Sequence, residues 1–269
     1  MRSQPAMRLS MKRASKAGRV TTKPPALKKK SGLGRRRRGR PAGAESAFLD
    51  HAMILSIAMQ LAKSVPLSEL SILRLANELG VTPALIYYYL GGRDAMTSGV
   101  MNSFYRELLE NWPRDVGDDW RHRLEVVLGV VYRAYVRYPG IAAYVVSHNR
   151  YRMIQDVKKG ETDYGILFFE RFVSAVKSIG FDAASTGVYA HLLMEFTTAS
   201  AHATVRHMWP GEHKDFLESK LSALDAEDYP ATHFVRPSLT SLNATAAFTT
   251  GLGLMLQGLE MNLEKSRSS

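Results

Sequence analysis

Three groups of side chains in this sequence have the types and spacing to do chemistry. Arg35, Arg36, Arg37, Arg38 and Arg40 form a run of guanidinium groups around Gly39 and Pro41. Such groups pair with phosphate and enter the narrow minor groove of A·T-rich DNA, where negative potential concentrates. The stretch Thr82 to Arg93 interleaves hydroxyls, three consecutive tyrosines and a cation. Tyrosine and threonine hydroxyls, arginine and helix N-termini are the usual partners of DNA phosphate oxygens. His191, Glu195 and His202 lie four and seven residues apart, so on a helix they share one stripe. Two imidazoles and a carboxylate have the donor types for a divalent metal or a hydrogen-bonding effector. The same groups serve equally as polar contacts at an interface or within a core. We prefer that plainer reading of the stripe and expect neither a metal site nor a cofactor.

Charge is distributed unevenly. The net charge is +11, yet residues 1–44 hold 15 Lys or Arg and no acid. The other 225 residues carry 21 bases against 25 acids, a net of −4. Basicity is therefore a property of the terminus. A segment this charged and this poor in large apolar residues cannot bury enough surface to offset its ordering entropy, so residues 1–44 are expected to be a disordered basic tail. Arg-Gly-Arg-Pro resembles the core of an AT-hook. Solvated charge runs and transit peptides share the composition, but the densest part adjoins the first expected helix, which favours contact with DNA. With no cysteine, the chain forms no disulfide, thiolate metal site or cysteine nucleophile, which suits a reducing cytoplasm. The longest uncharged run, Ser238 to Leu259, includes Ser, Thr, Asn, Gln and three glycines, and reads as a buried helix with a polar lead-in. No membrane association is expected.

The elements that must hold the second group are short. An apolar stripe predicts a helix from Ala44 to Ala62, broken at Ser64-Val65-Pro66. A second runs from Glu69 to Leu79, with Leu70, Leu73, Ala76 and Leu79 inward, and Gly80 favours its left-handed end. Thr82 and Pro83 start a third, the hydroxyl available as a cap and the ring preset to helical φ. Its Ile86 and Leu90 face inward, while three tyrosines about 100° apart cannot all be buried. Gly91-Gly92 ends it, and a fourth helix runs from Arg93 to about Glu110. Helix, tight turn, helix is the sequence form of a helix-turn-helix.

The segment from Ala58 to Met96 resembles the DNA-binding domain of the tetracycline-repressor family of transcription regulators. Leu75-Ala76, Leu79-Gly80-Val81 and Ile86-Tyr87 carry the match, and Arg93 stands where that family usually has Lys. The resemblance implies that residues around Thr82 to Tyr88 enter the major groove, and that Tyr87 and Arg93 each meet a phosphate. Thr82, Pro83, Ala84 and Leu85 offer a methyl, a ring and aliphatic edges without an Arg or Asn fork. Direct base readout is then weak and weighted toward thymine methyls, with Tyr88 beside Tyr87 as a further contact. The expected double-stranded DNA site combines these with the arginine run.

Beyond residue 97 the chain reads as helices separated at Trp112-Pro113, Tyr138-Pro139-Gly140, Ser178-Ile179-Gly180, Trp209-Pro210-Gly211 and a Pro-containing loop between Asp225 and Pro237. No alternating strand pattern occurs, so the fold class is all-α: a tail at 1–44, a helix-turn-helix domain at 45–97, and a larger helical ligand-binding and dimerisation domain at 98–265. Ala183 to Met208 and Leu242 to Glu260 are apolar on several faces, more than one small domain encloses. The resemblance implies that such a pair forms a four-helix homodimer interface, with Ala199, Ala201, Ala203, Gly251 and Gly253 permitting close approach. For a small-molecule effector the candidates are Tyr132, Tyr135, Tyr144, Phe168, Phe172, His191, Met194, Glu195 and His202, all equally readable as core. The sequence contains no Walker loop, Gly-x-Ser-x-Gly elbow or His-Glu-x-x-His. The reading is a ligand-responsive transcriptional repressor, not an enzyme, with a tail-dominated architectural DNA-binding protein as the alternative.

Overall fold

The computed structural model describes residues 49–147 and 154–268. The arginine run at 35–40, the expected tail and the expected start of the first helix at Ala44 lie outside them. Every described element is an α-helix or a single 3-10 turn, with no strand among the described residues.

Helix α1 (His51–Leu61) begins where the Asp50 carboxylate accepts from the Met53 amide at 2.7 Å, and it buries Ile54, Leu55, Ala58 and Met59. Helix α2 (Ile72–Glu78) begins three residues later than the apolar pattern suggested. Ser71 is its cap, accepting from the Arg74 amide at 3.1 Å. That start sets the buried face at Ile72, Leu75 and Ala76 and turns Leu73 out to 59% exposure, against the inward position expected for it. Gly80 takes φ +65°, and the Val81 amide donates back to the Ala76 carbonyl at 2.9 Å, closing α2 as a left-handed cap. Helix α3 (Pro83–Leu90) buries Ile86 and Leu90 and ends at Gly91, whose φ of +89° any side chain would strain. Helix α4 (Arg93–Glu110) follows as expected and buries Met96, Val100, Met101, Phe104, Tyr105 and Leu108.

The remaining helices are α5 (Trp120–Arg137), α6 (Pro139–Ser147), α7 (Tyr164–Lys177), α8 (Ala183–Val205), α9 (Lys214–Ser222), α10 (Pro230–Leu239) and α11 (Ala244–Ser268). Asp119, Asp163 and Asp182 cap α5, α7 and α8 through backbone amides. The Ser185 amide bonding to Asp182 holds that carboxyl below its ordinary range. Helix α10 occupies what read as a Pro-containing loop. Pro230 sits in its first turn, where the missing N–H costs nothing, and Pro237 near its end, where the helix stops two residues later.

Helix α8 is the axis of the body and packs against α5, α6, α7 and α11. Its inner face meets an aromatic core in which Tyr105 stacks on Phe168 at 5.3 Å and Phe104 lies 4.9 Å from Tyr135. Removing one such fully buried ring from water is worth about 2–3 kcal/mol. Ala201 is fully buried here, and a Cβ on Gly251 would lie 2.5 Å from the Phe196 ring. Both small residues therefore serve packing within the subunit, not the close approach of a second one.

Head and body meet at a corner between α5 and α6. The Gly140 amide donates to the Ala62 carbonyl at 2.9 Å, and the Leu67 amide donates to the Gly140 carbonyl at 3.0 Å. A Cβ at Gly140 would stand 1.9 Å from the Val65 carbonyl oxygen, so only glycine fits. Beside it the Tyr138 hydroxyl donates to Glu107 at 2.6 Å, and Arg137 bonds the other carboxylate oxygen at 3.0 Å. Burial, and then the Glu107 carboxylate, push the Tyr138 phenol up to about 12, so it remains a donor.

Candidate nucleic-acid interface and ligand cavity

The outer face of α3 is unusually apolar and aromatic for a surface. Thr82, Pro83, Ala84 and Leu85 are exposed, Tyr87 is about half exposed and Tyr88 is 82% exposed. The third tyrosine, Tyr89, folds back and meets Tyr88 edge-on at 5.3 Å. Thr82 holds the cap position, but its hydroxyl makes no capping hydrogen bond; Pro83 has no N–H and the Leu85 amide donates to the Thr82 carbonyl at 3.0 Å, so the Ala84 amide keeps its donor. That amide, the positive end of the helix dipole and the projecting Tyr87 phenol form a surface suited to an anionic backbone. Arg93, at the start of α4, is also exposed and spends one donor on the Ser68 carbonyl. A guanidinium has five donors, so capacity for a phosphate remains.

Sequence reasoning passed over two side chains near this face. Leu73 projects from α2 alongside exposed Arg74 and Asn77, and the signal for it was the Ser71 cap. The Lys158 ammonium, from the connection before α7, donates to the Tyr89 carbonyl at the end of α3 at 3.3 Å. Asn102 anchors that connection on α4, bonding the Thr162 carbonyl at 3.0 Å and the Tyr164 amide at 2.8 Å. No pattern along the chain announces a contact across 69 residues.

The effector candidates are dispersed. Phe172, His191 and Met194 line a cavity of about 350 Å³ between α7 and α8, with Phe169, Phe181 and Lys177. Tyr135, Tyr144 and Phe168 are buried in the aromatic core and line none of the described cavities. Tyr132 stacks on Phe248 at 4.1 Å and shares a hydrogen bond with Thr204 at 2.9 Å, which ties α5 to α8. Glu195 is exposed and pairs with His191 at 3.5 Å. His202 is half-buried, and burial, then the Arg206 charge, hold its imidazole below 6.5. The three-residue stripe is thus divided between an exposed pair and a separate imidazole, and no cluster of metal-binding side chains occurs among the described residues.

An exposed recognition face on a small helical head, carried by a large helical body, defines a helix-turn-helix DNA-binding regulator. Residues 112–263 match the family model described as the tetracyclin repressor-like C-terminal domain, more than half of the chain. The chain belongs to the tetracycline-repressor family of transcriptional regulators, which bind DNA and are not enzymes. Among solved structures it is similar to apo ActR from Streptomyces coelicolor, with a TM-score of 0.67 and 23% identity over 81% of this chain and 98% of that one. ActR in complex with actinorhodin gives 0.65 and 23% over 80% and 98%. The regulator SCO7222, also from Streptomyces coelicolor, gives 0.61 and 19% over 78% and 97%. At these identities the likeness is one of fold. No curated protein matches the chain. No described helix is long and apolar enough to cross a membrane.

Proposed function

We propose that this chain is a homodimeric repressor that works in the cytoplasm on a palindromic operator and releases it when a small molecule binds. The carrying observation is a pair of exposed faces on one subunit. The α3 face offers Tyr87 and Tyr88 outward, while α8 and α11 leave Val188, Leu192, Leu254 and Met261 exposed. Apolar side chains at that density on adjoining helices favour a symmetric second copy, and Gly253 and Gly258 leave open space for its approach. Two-fold symmetry then sets two α3 helices one helical turn of DNA apart, or a multiple of it.

Residues 45–97 act in this reading as the reading head and 98–265 as the responding body. Tyr87, Arg93, Tyr88 and the Ala84 amide hold phosphates, Thr82 to Leu85 face base edges, and the arginine run adds sequence-tolerant affinity. The effector works only through a difference in affinity for the two head spacings. That ActR binds actinorhodin supports a small-molecule input. The Gly140 corner and α4 offer a route from body to head. Selection of bound sequences from random DNA, with the full chain and with residues 1–40 removed, tests the reading. Both forms are expected to recover one palindromic motif, the shortened one more weakly. Recovery of no palindrome sinks it, and loss of all binding on truncation favours the architectural alternative.

A further inference from the structure

We propose that the cavity between α7 and α8 binds a planar aromatic carboxylate of two or three fused rings, an assignment that rests on the small-molecule input proposed above. Phe169, Phe172 and Phe181 present aromatic walls, and Met194 adds an adaptable thioether surface. Rings of this kind hold a flat conjugated guest by offset stacking and edge contacts. A volume of about 350 Å³ stands at the small end of ligand pockets, which suits a bicyclic or tricyclic guest.

Charge selects among such guests. Lys177 lines the cavity from the last turn of α7, where the helix dipole favours a cation, and its ammonium has no partner among the described residues. His191 lines the cavity too. Its Nε2 stands 3.5 Å from the Glu195 carboxylate, which sets the ring's orientation and is not itself part of the lining. No Asp or Glu lines the cavity. A carboxylate guest pairs with Lys177 through a charge-assisted hydrogen bond, while a neutral guest leaves the ammonium to water and a cationic one is repelled. Sequence reading singled out Phe172, His191 and Met194 and passed over Lys177, the residue that decides the class.

The experiment compares 2-naphthoate with the neutral isostere 2-naphthalenemethanol by titration calorimetry on the full chain at low salt. The carboxylate is expected to bind about tenfold tighter than the alcohol. Lys177→Met removes that preference without changing alcohol binding, and Lys177→Arg keeps it. Lys177 is exposed on a helix end, so circular dichroism is expected to show both variants folded. Equal affinity for the two probes, binding of neither, or a preference that survives Lys177→Met overturns the assignment. Release of the selected operator by 2-naphthoate is measured separately. Lys177-dependent binding with no release leaves the site standing and sinks the effector reading alone.

Discussion

The head and the body of this chain use their surfaces in opposite ways. In the head, α1 to α3 bury a thin core of Ile54, Leu75, Ile86 and Leu90, and Tyr87 and Tyr88 of α3, with Arg93 at the start of α4, face outward. In the body Tyr105, Tyr135, Phe168 and Phe172 turn inward, while α8 and α11 keep an apolar face exposed and Phe216, Tyr229 and Phe234 project from the segment between them. Tyr87 or Tyr88 can change with little cost to the fold because each faces solvent, whereas a buried body aromatic such as Phe168 answers first to packing. Function in the head is therefore separable from stability, and in the body the two are coupled.

Substitutions can break or sharpen that contrast. The largest effect is expected at the junction: Gly140→Ala sets a Cβ against the Val65 and Ala62 carbonyls, backbone atoms of which the second is held by the Gly140 amide. Overpacking against atoms that cannot yield costs about 3 kcal/mol, read as a lower urea midpoint, with operator binding lost at the same time. An unchanged midpoint would mean the corner is loose. Next, Leu254→Asp on the exposed α11 face is expected to shift sedimentation from dimer to monomer and weaken operator binding by about a hundredfold, since an unpaired charge in an apolar interface costs several kcal/mol. A dimer that persists moves the interface elsewhere.

Tyr87→Ala tests the head alone. Loss of one hydrogen bond to a charged phosphate weakens operator binding by about tenfold, with stability within about 0.5 kcal/mol of the parent. A large fall in stability would contradict its outward position. The smallest effect concerns pH. Because the folded state holds His202 below 6.5, the unfolded chain takes up that proton first as pH falls. The contribution is complete above 6.5 and is lost as pH falls from 6.5 toward the lowered folded value. His202→Gln is expected to flatten the melting temperature against pH over that interval.

Legibility in the sequence follows the same divide. Gly80, Thr82-Pro83 and Gly91 are local signals, and α3 and α4 lie where they pointed. Leu73 was misplaced by three residues of phase, because a serine hydroxyl and not the apolar repeat decided where α2 begins. In the body α5, α8 and α11 were legible and α10, read as a loop, was not; the tyrosines of α5 and α6 were not separable into cavity and core. Tyr135 and Phe168 differ from Phe172 only in which neighbour the packing brings. Lys177 was hidden for a related reason, since a lysine at a helix end has an ordinary explanation until three phenylalanines are seen around it.

The Gly140 corner carries a consequence for engineering. Two main-chain hydrogen bonds join the parts there, and main-chain groups are the same in every sequence. A head taken from another member of the family could therefore replace residues 45–97 and keep these two bonds whatever its side chains, provided the recipient keeps glycine at 140. Hybrid sensors that join one regulator's operator to this body's ligand preference would then depend on backbone geometry at this corner and on the packing of α1 against α4.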